Sequence, residues 1–202
     1  MKKTVLSLTV LSIIVFTSCA QETGTFTDSR DGKVYKTVKI GKQVWMAENL
    51  AYQPASGNYW AYHNNAENIA LYGYLYDWQT ALNVCPTGWH LPTDAEWSKL
   101  TDYLGGEDAA VGKLKATGTI KAGTGLWSAP NTNATNETGF AALPGGYRNS
   151  GGTFSAIGLS GNWWSATEDG NAWIRTIYYT DSPVERILGS KEDGFSVRCL
   201  RD

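Results

Sequence analysis

The sequence predicts an α+β domain built on a mostly antiparallel sheet. Three features carry that prediction: short β-prone runs near the start, helical spacing with a capping box in the middle, and Gly-broken β-prone runs to the end. The composition allows such a domain, with 202 residues, 42% of them hydrophobic and 18% charged. That length fits one domain, and neither an internal repeat nor a second-domain linker interrupts it. Nine Trp and eleven Tyr against five Phe make the aromatic content unusual. The formal charge of −2, with no basic run, excludes a nucleic-acid backbone as partner.

The elements follow in order. Lys2 and Lys3 precede an apolar run from Val5 to Phe16, which ends at Thr17-Ser18-Cys19-Ala20. A basic start, a short apolar stretch and small residues before a cut are the parts of an export signal. The run is shorter than the roughly twenty apolar residues a membrane span needs. A Cys directly after small residues resembles a bacterial lipobox, with Phe16 standing where Leu is commoner. The expectation is a signal peptide over 1–18, a lipid on Cys19 and a polar tether over 19–30. Residues 31–202 then form a single domain. Such a chain is exported and held on a bacterial membrane, at the outer membrane or cell surface, since two acyl chains suffice for stable anchoring.

Lys33 to Ile40 alternates polar and apolar residues, and Gly41-Lys42 leads into Gln43 to Ala47, the pattern of a β-hairpin. Residues 51–73, rich in Asn and Tyr, read as a long loop. Leu75, Trp78 and Leu82 have the spacing of one helix face over 74–84. Thr93 followed three residues later by Glu96 is a capping box. Trp97, Leu100 and Leu104 then share a face, and Gly105-Gly106 ends the helix. A shorter helical turn is expected over 108–116. Strands are expected at 140–143, 153–157, 162–167, 172–179 and 194–200. With Cys19 lipidated, Cys85 and Cys199 remain. An oxidising compartment allows them to pair, closing a loop of about 115 residues; two buried thiols are the alternative.

Several separated strings carry a family resemblance. They are Tyr35 to Leu50 (YKTVKIGKQVWMAENL), Cys85 to Trp97 (CPTGWHLPTDAEW), Gly139 to Arg148 (GFAALPGGYR), Trp163 to Thr167 (WWSAT) and Gly194 to Cys199 (GFSVRC). Together, and in this order, they resemble the Fibrobacter succinogenes major paralogous domain, a module of exported bacterial proteins, over about 31–202. That family brings no established activity. Leu91 to Trp97 and Gly194 to Arg198 are also similar to strings of the formylglycine-generating enzymes. This likeness implies a C-type-lectin-like fold with short antiparallel strands, two helices and long loops. It does not imply their oxidation, which needs two late active-site cysteines where this chain has Cys199 alone.

Catalytic motifs fail one by one. His63 and His90 are too few for a His-based zinc site. Gly158-Leu159-Ser160-Gly161 has the Ser, but Asn162 stands where a nucleophile elbow needs Gly. Gly112-Lys113 is followed by Leu114, where a phosphate loop needs Ser or Thr. A carboxylate pair drawn from Glu48, Glu67, Asp77, Glu96, Glu137 and Glu168 would make the chain a polysaccharide-active enzyme, the alternative to a binding role. No cofactor is expected beyond a structural Ca2+, for which Asn131, Asn133, Asn136 and Glu137 supply loop oxygens. Trp45, Trp78, Trp89, Trp97 and Trp163 fall in patterned strings and are assigned to the core. His90, before the helix cap, is assigned to packing or hydrogen bonding.

The loop Tyr59-Trp60-Ala61-Tyr62-His63-Asn64-Asn65 joins flat rings to amides, a composition suited to sugars. Trp60, Tyr62, His63 and Asn64 are therefore the candidate ligand contacts, with Tyr178, Tyr179 and Arg175 as a secondary set. The expected role is a non-catalytic binding or adhesion module whose partner is a glycan or a surface protein. A structural envelope protein with no small ligand is the other alternative.

Overall fold

A computed structural model describes residues 21–202. The export signal and Cys19 lie outside the described residues. Chain order begins with β1 (Thr23–Thr27), β2 (Val34–Ile40), β3 (Gln43–Met46) and β4 (Tyr59–Trp60), then a 3-10 turn at Tyr62–Asn64. Next come α1 (Glu67–Tyr72), β5 (Leu75–Tyr76), α2 (Trp78–Val84), β6 (Trp89–His90), α3 (Asp94–Tyr103) and α4 (Glu107–Leu114). The rest is strand: β7 (Gly145–Arg148), β8 (Phe154–Ile157), β9 (Ser160–Asp169), β10 (Asn171–Tyr178), β11 (Glu185–Gly189), β12 (Phe195–Ser196) and β13 (Leu200–Arg201). The molecule is α+β, mostly strand.

Two sheets organise it. The first runs β1-β2-β3-β13-β6, with every pair antiparallel. The second runs β11-β10-β9-β12-β5-β4, with β7 and β8 joined at β9. Its β12·β9 and β7·β9 pairs are parallel. Strand alternation places neighbouring residues on opposite faces, and here both faces are covered. Trp45 and Met46 on β3, like Trp163 and Trp164 on β9, send one side chain into each of two core clusters. All five Trp assigned to the core are buried, as are Trp127 and Trp164.

The β2–β3 hairpin forms as expected and turns at Gly41, whose φ of 61° suits glycine. Tyr35 on one face of β2 and Val38 and Ile40 on the other are buried against separate clusters. The capping box is present. Thr93 Oγ1 accepts from Glu96 N, and Glu96 Oε2 accepts from Thr93 N at 2.8 Å. Trp97, Leu100 and Leu104 are buried, and Gly105 and Gly106 follow at positive φ. Cys85, the residue closing α2, is disulfide-bonded to Cys199 with a Cα–Cα distance of 5.9 Å.

Other expectations need correction. Residues 21–27, read as part of a tether, belong to the fold. β1 pairs along its whole length with β2, Lys39 N donates to Glu22 O, and Gln21 Nε2 donates to Lys39 O. The stretch 51–73 holds β4, the 3-10 turn and α1, elements too short to show a period. In 74–84, Leu75 lies on a strand. The helix starts only after Asp77, whose Oδ1 caps it by accepting from Thr80 N. The run 140–143 is irregular, with Ala141 at φ 52° so that Phe140 and Ala142 are both buried. The expected strand 194–200 is divided: β12 joins the second sheet and β13 the first. Strands β7 and β11 were not legible, since one begins Gly-Gly and the other is an exposed edge.

Candidate functional site

The strings that carry the family resemblance meet first in a buried polar cluster. Arg198 is fully buried. Its Nη2 and Nε donate to Asn49 Oδ1 at 2.8 and 3.2 Å, and its other donors reach the carbonyls of Met46, Phe140 and Ala141. Trp163 Nε1 donates to the same Asn49 oxygen at 2.9 Å, and Phe140 lies under the guanidinium at 4.4 Å. Burial pulls the Arg198 pKa down to about 9. With no solvent access, this cluster holds elements together and is no ligand site.

Trp60 opens on the surface. β4 pairs with β5 at Trp60↔Leu75, and β5 with β12 at Leu75↔Ser196, so Trp60 lies two strands from the Phe195–Ser196 segment. Just before that segment, Gly194 and Arg148 exchange both backbone hydrogen bonds, at 2.9 and 2.7 Å. The Trp60 ring occupies the side-chain position of Gly194. A Cβ there would lie 3.0 Å from it, so any larger residue would require the ring to give by a few tenths of an ångström. The Arg148 guanidinium lies over the same indole at 4.2 Å from the centroid and 6.0 Å from that of Phe154.

Around Trp60 and Arg148 opens a cleft of about 450 Å3, lined also by Asn58, Asp77, Trp78, Gln79, Ser150, Lys191 and Glu192. Asp77 is fully used: besides capping α2, its Oδ2 accepts from Asn58 Nδ2 at 2.7 Å. Lys191 pairs with Glu168 while its ammonium lies 4.7 Å over the Trp78 ring. Glu192 is exposed and accepts from the Ser190 hydroxyl, which holds its carboxyl below the usual value. Asp193, beside the cleft, accepts from Ser150 N at 2.7 Å, and partial burial pushes its carboxyl up.

Of the four candidate contacts, the structure brings Trp60 to this cleft. Tyr62 is corrected to a packing residue. It is buried beneath Gly146, its hydroxyl accepts from Ile157 N, and its ring meets Phe154 at 5.3 Å. His63 and Asn64 are exposed on the adjoining 3-10 turn, at φ 55° and 56°, outside the cleft lining. Arg175 is buried and ion-paired to Asp94 and Glu107, a structural role. Tyr178 lines a second groove, of about 420 Å3, with Tyr147, Leu188 and Phe195. The sequence reading missed Arg148 and Lys191. Arg148 sits inside a family string, but its stacking on Trp60 links residues far apart in the chain.

The Asn-rich loop is tied down by its own side chains, although Asn131 Oδ1 is buried with no hydrogen-bond partner. Asn136 Oδ1 accepts from Ala141 N, Asn133 Nδ2 donates to Asp181, and Asn131 Nδ2 donates to two carbonyls. All three adopt positive φ, as turn-forming Asn does. Among the described residues no group of three or more His, Cys, Asp or Glu could hold a metal ion. His90 bonds Asp202 at 2.6 Å and Glu96 at 3.1 Å, the hydrogen-bonding role expected of it.

The chain matches the family model of the Fibrobacter succinogenes major domain over residues 38–201 and belongs to that family. No curated protein and no solved structure matches it.

Proposed function

We propose that this member of the Fibrobacter succinogenes major domain family is a non-catalytic lipoprotein of the bacterial envelope, and that its Trp60 cleft binds a glycan. One observation carries the reading: a surface cleft in which Trp60 and Trp78 stand among amide, hydroxyl and charged groups. Sugar sites need such a mixture, because the apolar face of a pyranose packs on a ring while its hydroxyls bond polar side chains. A lectin-like scaffold, with long loops on short strands, accords with this use; that part is fold analogy.

The same cleft contains two carboxylates, Asp77 and Glu192, the minimum a polysaccharide hydrolase requires. A general acid must stay protonated near neutral pH. Glu192 is held low by Ser190, and Asp77 is occupied by the α2 cap and Asn58. Binding without cleavage is the reading these environments favour.

The localisation follows from the Lys2-Lys3, apolar-run and Cys19 pattern. A lipid on Cys19 would stand four residues from the first residue of β1, a reach of at most about 14 Å. The domain then rests close against the bilayer.

The test is a glycan screen of the full-length chain in detergent micelles, with Ca2+ and with chelator. Binding that Trp60→Ala abolishes while the melting temperature holds supports the reading. Saccharide binding indifferent to Trp60→Ala moves the site elsewhere, and no binding to any saccharide favours a protein partner or a structural role.

A further inference from the structure

We propose that the ligand of the Trp60 cleft is an acidic saccharide, a sugar bearing a carboxylate, received by Arg148; this rests on the glycan reading above. Arg148 is half-buried and held in place by the Trp60 and Phe154 rings. Its Nη1 donates to Asn149 O at 3.2 Å, and among the described residues it forms no salt bridge. A guanidinium has five N–H donors in a fixed fork, so most of its hydrogen-bonding capacity is uncommitted.

The other charges at the cleft are engaged. Lys191 pairs with Glu168, Asp77 accepts from Thr80 N and Asn58, Glu192 accepts from Ser190, and Asp193 accepts from Ser150 N. Arg148, ring-stacked and without a salt bridge among the described residues although its charge also acts on Asp193, is thus left lining the opening. A stacked guanidinium is weakly hydrated and already oriented, so a carboxylate meeting it forms paired charge-assisted bonds with little side-chain ordering. Asp77 and Glu192 would repel a densely charged polyanion. A sugar with a single carboxylate and several hydroxyls suits one free cation beside oxygen and amide groups.

Calorimetry on the full-length chain in detergent micelles tests this, with galactose oligosaccharides carrying a single terminal galacturonate and the all-galactose oligosaccharides of equal length as probes. The acidic series is expected to bind about tenfold tighter or more, a preference that shrinks as salt rises from about 50 to 500 mM. Arg148→Gln should remove the preference, Arg148→Lys should retain part of it, and Trp60→Ala should abolish binding of both series. Equal affinity for both series in the unsubstituted chain overturns the acidic preference and leaves the glycan reading standing. Binding of neither overturns both. Should Arg148→Gln fail to fold, the salt dependence and acid preference of the unsubstituted chain decide.

Discussion

Arg198 is a full charge in the core with no carboxylate bonded to it; its partners are Asn49 and three carbonyls. The Asn49 oxygen also satisfies Trp163 Nε1, so one amide serves donors of two buried side chains. Asn49→Leu keeps the volume but leaves Trp163 Nε1 without its acceptor and Arg198 with its carbonyl partners alone, and a loss of about 3 kcal/mol in chemical denaturation is expected. Gly194→Ala brings a methyl to 3.0 Å from the Trp60 ring, which must shift by a few tenths of an ångström; a cost of about 1 kcal/mol is expected, with weaker binding of the proposed glycan. His90 sets a pH dependence. Burial lowers its pKa, but Asp202 and Glu96 outweigh that and raise it above the usual imidazole value. Its contribution is therefore complete below about pH 6.5 and is lost as pH rises through the raised folded value. Melting temperature should fall across that window, and His90→Gln should flatten the fall. The roles of Asn49 and Arg198 were not legible, since nothing local ties residues so far apart.

At the scale of elements, α3 shows what short-range chemistry can specify. Its cap, buried face and Gly stop form a run in which each signal lies within about four residues of the next, and each was predicted. Thr93→Ala removes the cap and should cost about 1 kcal/mol, read as a shift of the denaturant midpoint. Two-residue strands such as β4 and β5 carry no periodicity. They exist because β12 lies alongside to pair with β5. β1 is the opposite surprise, since its polar Thr-rich sequence reads as tether until β2 supplies its hydrogen-bonding partner. Its pairing leaves few residues between the fold and the lipid proposed for Cys19. Gln21 and Tyr103 line one surface depression, so a fluorophore placed at 103 in vesicle-bound protein should be quenched by lipid-borne quenchers. A ten-residue Gly-Ser insertion between Ala20 and Gln21 should relieve it. Quenching unchanged by that insertion would contradict the close seating.

Across the whole molecule, the disulfide joins the end of α2 to the segment between the two sheets, Cys85 to Cys199. Replacing both cysteines by Ser should cost about 2–5 kcal/mol in equilibrium unfolding. The matched strings of the family occupy the β2–β3 hairpin, the approach to α3, the Phe140 segment, β9 and the closing segment. Most of these residues serve Arg198 and the two cores, while Arg148 among them lines the cleft. The cleft is assembled around its rim, from Asn58, Trp60, Arg148 and Lys191. Class, hairpin, capped helix, buried tryptophans and the cysteine pair were readable because each rests on a periodic, short-range or counting signal. The division of 194–200 between sheets, the burial of Tyr62, the pairing of β1 and the stacking of Arg148 on Trp60 depend on segments remote in sequence. Contacts of that kind exist only once the chain has closed on itself, so local patterns hold no trace of them.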